Sequence, residues 1–337
     1  MKSRAISRPA QTAWPCDGSF NPETTGGRAD IRRLQDYFPV RVYFFSATAM
    51  ADTTATLDHL ALVVVHNLPQ ALLVVLTTLV IVLVGKDIIN GMMRSPFLNP
   101  NTWQPLTLVD VKQLSHNVRR FRFALPHQEQ LLGLPLGQHV SIKGSSKNGG
   151  GEVFRPYTPT TAIMQRGYVD FVIKLYPEGQ MSQVLAAAEV GDSLLFKGPK
   201  GRFQYEKGSK RAIGMLAGGS GITPMYQVAT EILRDSNDDT HLSLVYANYT
   251  EDDILLRKEL DELAERHANF SVYYVLNDPP RGWAGGKGFV TAEMIKKHLP
   301  APAADVVILR CGPAPMNKAM EAHLEALGYP KEQQFQF

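Results

Sequence analysis

The sequence predicts a β + α/β protein: an antiparallel β-barrel followed by a doubly wound parallel-sheet domain, both behind one N-terminal transmembrane helix. Three observations predict it. Residues 57–85 contain the most apolar stretch of the chain. From Leu106 to about Phe203, apolar side chains recur with period two, the spacing of half-buried strands. From Ala212 onward, short apolar runs alternate with helix-period segments, the order that lays helices over a parallel sheet.

Taken in order, residues 1–56 mix Pro, Gly, Thr, Arg and Ser without a sustained period and are expected to be a disordered extension. Arg28–Phe38 has weak amphipathic character suited to a mitochondrial address, but its acids and the neighbouring prolines depart from a transit peptide. Met50 stands close to the next element, so an upstream extension without function is the other reading of residues 1–49. Leu60–Val84 is 25 residues long. At about 1.5 Å per residue it reaches about 37 Å, against a hydrocarbon core of about 30 Å. It is expected to anchor the chain, with residues 57–85 as the span. Asn90–Pro105, with Pro96, Pro100 and Pro105, reads as a tether, and residues 86–103 as the linker.

In the expected barrel domain, residues 104–208, Val169, Phe171, Ile173 and Leu175 alternate with Asp170 and Lys174, and Phe121 and Phe123 with Arg120 and Arg122. His139–Ile142 and Ser193–Phe196 are two more short strands, and only Met181–Ala188 looks helical. In the expected α/β domain, residues 209–337, the strand-length runs are Ile213–Ala217, Leu242–Ala247, Val272–Leu276 and Val306–Arg310. Helical periods cover Leu255–His267, Thr291–Leu299 and Ala314–Leu327.

The centre of that second domain is Ala212–Arg234. Its strand bends through Gly218, Gly219, Ser220 and Gly221. Thr223 is expected as N-cap and Pro224 as first helical residue, while Met225, Val228, Ala229, Ile232 and Leu233 mark one buried face. Such a turn aims backbone N–H groups and a positive helix end at an anion, usually a nucleotide pyrophosphate. The spacing is not G-x-G-x-x-G, so the dinucleotide fingerprint is not claimed.

Composition narrows the function classes. A chain of 337 residues has room for two cores, and its 44% hydrophobic and 20% charged residues are those of a folded protein. A net charge of +3 is too small to point to nucleic acid. Cys16 and Cys311 stand far apart, so no disulfide framework is expected. No Cys or His cluster has metal-ligand spacing, so no metal site is expected.

Three further local patterns carry chemistry. Phe154-Arg155-Pro156-Tyr157-Thr158-Pro159, placed between two barrel strands, offers a guanidinium for phosphate, a phenol for a planar ring and a hydroxyl for a ring nitrogen. Glu178-Gly179-Gln180-Met181-Ser182 turns into a helix N-terminus suited to pyrophosphate. Cys311-Gly312-Pro313-Ala314-Pro315-Met316 follows the strand Val306–Arg310, at the sheet edge where open α/β folds bind ligands. Cys311 has no accompanying His–Asp arrangement, so packing is expected of it rather than nucleophilic attack.

In this order, together with Gly198–Phe203, Asn248–Arg257 and the terminal Phe335-Gln336-Phe337, these motifs resemble the ferredoxin-reductase superfamily. Within it they are most similar to the membrane-anchored NADH–cytochrome b5 reductases of fungal type. The resemblance runs from about Leu106 to Phe337 and implies an FAD-binding barrel and an NAD-binding sheet domain.

The same resemblance implies residue roles. Arg155 would bind FAD phosphate, with Pro156, Tyr157, Thr158 and Val172 along the flavin. Gly179, Gln180, Met181 and Ser182 would meet the pyrophosphate. Thr158, His139 and Lys174 are the expected catalytic residues: threonine near the reactive flavin nitrogen, histidine sharing its proton network, lysine holding NADH. Gly218, Gly219, Ser220, Gly221, Thr223, Cys311, Gly312, Pro313, Met316 and Phe337 would line the nicotinamide nucleotide. Ala314 replaces a proline usual in that family. Asn277 stands where many animal members carry an aspartate against the adenosine ribose, so the expected preference for NADH over NADPH is weaker here.

The implied activity is NADH-dependent reduction of cytochrome b5 through FAD, one electron at a time. Lys197, Lys200 and Arg202 are candidates for steering the acidic partner. Two alternatives stay open: the same chemistry serving the small metal carrier of diphthamide synthesis, and a membrane-tethered nucleotide-binding protein without turnover. A monomer is expected, at the mitochondrial outer membrane or the endoplasmic reticulum, with its catalytic part in the cytosol.

Overall fold

A computed structural model describes residue 70 and residues 72–86, 95–145 and 151–337. The expected disordered extension, residues 1–56, lies outside the described residues, as do most of the first half of the expected anchor and residues 87–94 of the linker. Residues 72–86 are helical and their apolar side chains are exposed. Among the described residues no helix is long and apolar enough to cross a membrane.

Antiparallel pairing orders the first sheet β4-β3-β6-β1-β2-β5. Its strands are β1 (Gln104–Ser115), β2 (Val118–Ala124), β3 (His139–Ser145), β4 (Glu152–Tyr157), β5 (Tyr168–Lys174) and β6 (Ser193–Lys200). One apolar core draws from all six: Leu108, Phe121, Ile142, Val153, Phe171 and Phe196. The sheet therefore curls round that core. Phe123 and Phe196 meet edge to face at 5.0 Å, the geometry favoured by aromatic quadrupoles. On the opposite face of the β2–β5 pair, Arg122 grips Asp170 through two hydrogen bonds of 2.7 Å. The alternation read from the sequence is thus a difference between packed and ion-paired faces. One short helix, α1 (Gln180–Ala186), follows β5.

Two expectations fail here. The Arg-Pro-Tyr motif does not lie between strands; it forms the end of β4 itself. Proline is tolerated because β4 is an edge strand, needing N–H donors on one side only. The tether is not free along its whole length either. Phe97 and Leu98 are buried in the barrel core, their N–H groups donating to the Leu131 and Leu132 carbonyls at 3.0 Å.

The second sheet is parallel throughout, in the order β10-β9-β8-β7-β11-β12. It comprises β7 (Ala212–Gly218), β8 (His241–Asn248), β9 (Phe270–Leu276), β10 (Gly286–Lys287), β11 (Val306–Cys311) and β12 (Gln334–Gln336). Successive residues serve opposite cores. Met215 and Leu244 pack with the helices α2 (Ile222–Arg234) and α3 (Arg257–Arg266). Leu216 and Val245 pack with α4 (Ala292–His298) and α5 (Ala314–Ala326). The sheet is doubly wound, as expected. Val118, Val172 and Phe203 from the barrel lobe enter the α2 side of this core.

The helix start differs from expectation. Gly219–Gly221 already turn as a 3-10 helix, so α2 begins at Ile222 with Gly221 as N-cap. Thr223 is then inside the first turn, where its hydroxyl donates to the Ser220 carbonyl at 3.3 Å. Pro224 remains among the first residues whose N–H would lack a helical partner.

Candidate functional site

Sheet order brings the barrel residues together. β4 runs antiparallel to β3, so Tyr157 sits opposite Val140, beside His139. The ends of β4 and β5 and the start of α1 thus form one wall of a cleft of about 570 Å3. The opposite wall comes from the C-terminal ends of β7 and β11, paired through Ala217 and Cys311. At β7 the strand order reverses, with β8 on one side and β11 on the other. Open α/β sheets leave a crevice at such a point.

The residues expected to bind the cofactors or act in catalysis all line this cleft, except Asn277 and Met316; Lys197, Lys200 and Arg202, expected to steer the partner, lie outside its lining. Asn277 and Met316 line a second cavity of about 580 Å3, which shares Lys174, Gly218, Gly219 and Pro313 with the first. The cleft also takes in Ile173, Tyr176 and Pro224, none of which the sequence marked as a site residue. Tyr249 and Phe289, neither expected as a site residue, line the second cavity with 66% and 82% exposure, large apolar surface left in water.

The glycines explain how the parallel-sheet wall closes up. A Cβ on Gly221 would lie 2.2 Å from the Cys311 carbonyl oxygen, and one on Gly218 2.4 Å from the Met316 sulfur. The two loops pack backbone against backbone. Gly219 differs: its φ is +52°, and an added Cβ would meet nothing within 4 Å. Its bare backbone borders both cavities, so a ligand can approach it closely. From beneath, the Tyr246 hydroxyl donates to the Gly219 carbonyl at 3.0 Å and accepts from Leu255 N–H at 3.2 Å, fixing the turn.

Lys174, at the end of β5, pairs with Asp253 of the parallel-sheet lobe at 2.6 Å. Other buried or half-buried bonds join the lobes, among them Gly137 N–H to Gln227 Oε1 and Ile163 N–H to Glu231 Oε1, both 2.9 Å. Asp253 was given no role in the sequence reading, although it lies in Asn248–Arg257 and Thr250-x-x-Asp253 has capping-box spacing and forms that box.

Burial governs titration in the cleft. It pushes the Tyr157 hydroxyl up to about 12, against a smaller pull from Arg155, and the Cys311 thiol up to about 11. Burial, then the Lys200 charge, holds His139 below the ordinary imidazole value, so its neutral form rests at pH 7. The walls thus offer neutral hydrogen-bonding groups around an apolar slot, with Arg155 and Lys174 as the cations. That suits a flat ring carrying phosphates, and the open Gly219 backbone leaves space for a second nucleotide beside it.

Comparisons agree with this division. The Oxidoreductase FAD-binding domain family matches residues 105–205, and the Oxidoreductase NAD-binding domain family residues 215–322. A protein of Arabidopsis thaliana named NADH–cytochrome b5 reductase 1 is 56% identical over 246 residues, 72% of this chain and 87% of the relative. One of the same name from Dictyostelium discoideum is 48% identical over 253 residues, 75% of this chain and 88% of the relative. The cytochrome b5 reductase domain of Ulva prolifera nitrate reductase superposes with a TM-score of 0.69 at 40% identity, covering 72% of this chain and all of that one.

Proposed function

The chain belongs to the NADH–cytochrome b5 reductase family, and from that premise we propose that it reduces cytochrome b5 with NADH by way of FAD. The observation that carries this is the single cleft in which Tyr157 and Thr158 from the barrel face Gly219 and Cys311 from the parallel sheet. The flavin supplies the conversion between a two-electron hydride donor and a one-electron haem acceptor.

The chain's own residues bind and orient. Arg155 pairs with FAD phosphate, the first turn of α1 receives the pyrophosphate, and Tyr157 and Thr158 hold the flavin ring. His139, neutral at pH 7, shares a proton network with the Thr158 hydroxyl. Lys174 and the Gly218–Gly221 turn hold NADH, with Cys311, Gly312 and Pro313 packed beside its nicotinamide. Asn277, Met316, Tyr249 and Phe289 line the adenosine end. Positioning two ring systems in contact is the main contribution of the fold. Lys197, Lys200 and Arg202 steer the acidic partner.

The protein acts as a monomer. The apolar run of residues 57–85 anchors it in the mitochondrial outer membrane or the endoplasmic reticulum, with the catalytic part in the cytosol.

The test is anaerobic titration of the purified chain. Yellow protein bleached by NADH and reoxidised by cytochrome b5 is expected. Colourless protein that takes up no FAD would sink the proposal.

A further inference from the structure

Lys174 is one of four residues that line both cavities, so its side chain lies on their shared border. A lysine side chain carries about 2 kcal/mol of rotamer entropy, and a free one would seldom point to one place. Here it is held. Asp253 Oδ1 accepts from Lys174 Nζ at 2.6 Å, and the two side chains are only 12% and 15% exposed. The other carboxylate oxygen accepts from Thr250 N–H at 3.1 Å and from the Thr250 hydroxyl at 2.7 Å, so the carboxylate itself is oriented. The turn bearing it is anchored in turn by Leu255 N–H on the fully buried Tyr246.

We propose that Asp253 is a positioning residue for the nicotinamide nucleotide: held by Thr250, it aims the Lys174 ammonium at the junction of the two cavities. This rests on the reading of the cleft as the NADH site. Lys174 belongs to the barrel and Asp253 to the parallel-sheet lobe, so the pair sets the lysine by reference to the lobe that binds the nucleotide. It also leaves two of the three ammonium donors for the ligand.

The experiment uses the flavin-loaded full chain, with NADH as donor and ferricyanide as acceptor. Asp253→Asn keeps shape and loses the charge. It should raise the NADH KM about tenfold, equivalent to about 1.4 kcal/mol, while kcat stays within about twofold. Thr250→Ser keeps the hydroxyl and should match wild type. Thr250→Val loses it and should raise KM about threefold; it carries the test if the asparagine variant fails to fold. In a Lys174→Met background, Asp253→Asn should add nothing, because the aspartate acts through the lysine.

Equal and additive effects in the two backgrounds would overturn the inference in favour of a structural role. So would an unchanged or lower KM in Asp253→Asn. Wild-type protein that binds FAD but does not oxidise NADH would instead overturn the reading of the cleft, and this inference with it.

Discussion

The two walls of the cleft solve one problem with different materials. The barrel wall presents side chains: the Arg155 guanidinium, the Tyr157 phenol and the Thr158 and Ser182 hydroxyls. The parallel-sheet wall presents mostly backbone, in the Gly218–Gly221 turn and the Cys311–Pro313 loop. Side chains can be exchanged with local consequences. A wall of backbone depends on how closely two loops approach, so its tolerance to an added atom is much smaller.

The sharpest way to break that contrast is Gly221→Ala. Its Cβ would collide with a main-chain oxygen that has no rotamer to yield, so the turn must shift. We expect NADH-driven ferricyanide reduction to fall on the order of a hundredfold with FAD content retained. Gly219→Ala, two residues away, meets no protein neighbour, so its cost is the left-handed strain of about 1–2 kcal/mol together with crowding of the nucleotide at that backbone, a loss nearer tenfold. Equal losses in the two variants would erase the distinction.

On the other wall, Arg155→Ala removes one charge-assisted contact worth about 1.5–3 kcal/mol, so FAD should bind about ten- to a hundredfold more weakly. Fluorescence titration of the apoprotein with FAD measures this, and NAD+ affinity at saturating FAD should be unchanged.

The smallest effect concerns His139. Its pKa is lowered in the folded protein, so the unfolded chain binds the proton more readily. The stability tied to the neutral imidazole is therefore present above the ordinary value of 6.5 and is lost as pH falls below it. His139→Gln should reduce the fall in Tm between about pH 7.5 and pH 5.5 by about 2 °C, read by thermal melts at the two pH values.

Much of this contrast was legible in the sequence, and the rest failed for identifiable reasons. Period-two alternation marked β2 and β5 because one face is packed and the other polar. The glycine turn and the Arg-Pro-Tyr motif stood out because few residues meet their local demands. Thr223 misled because a good N-cap type stood two residues too late, in a chain already turning at Gly219–Gly221. β10 and β12 span two and three residues, too short for any period, and exist by pairing with β9 and β11. Phe97 and Leu98 looked like part of a proline-rich tether, and only the barrel core gives that apolar pair a purpose. Asp253 was hidden among neighbouring acids, because its partner lies 79 residues away on the other lobe.

Phe203 bears on how the molecule comes apart. It belongs to the barrel segment in sequence, yet it is buried among residues of the other lobe and packs on Phe335 and Phe337 at 5.2 and 5.6 Å. Severing the main chain between the halves would not give two self-sufficient fragments, since each would be left with torn apolar surface. Heat should melt the pair in one cooperative step.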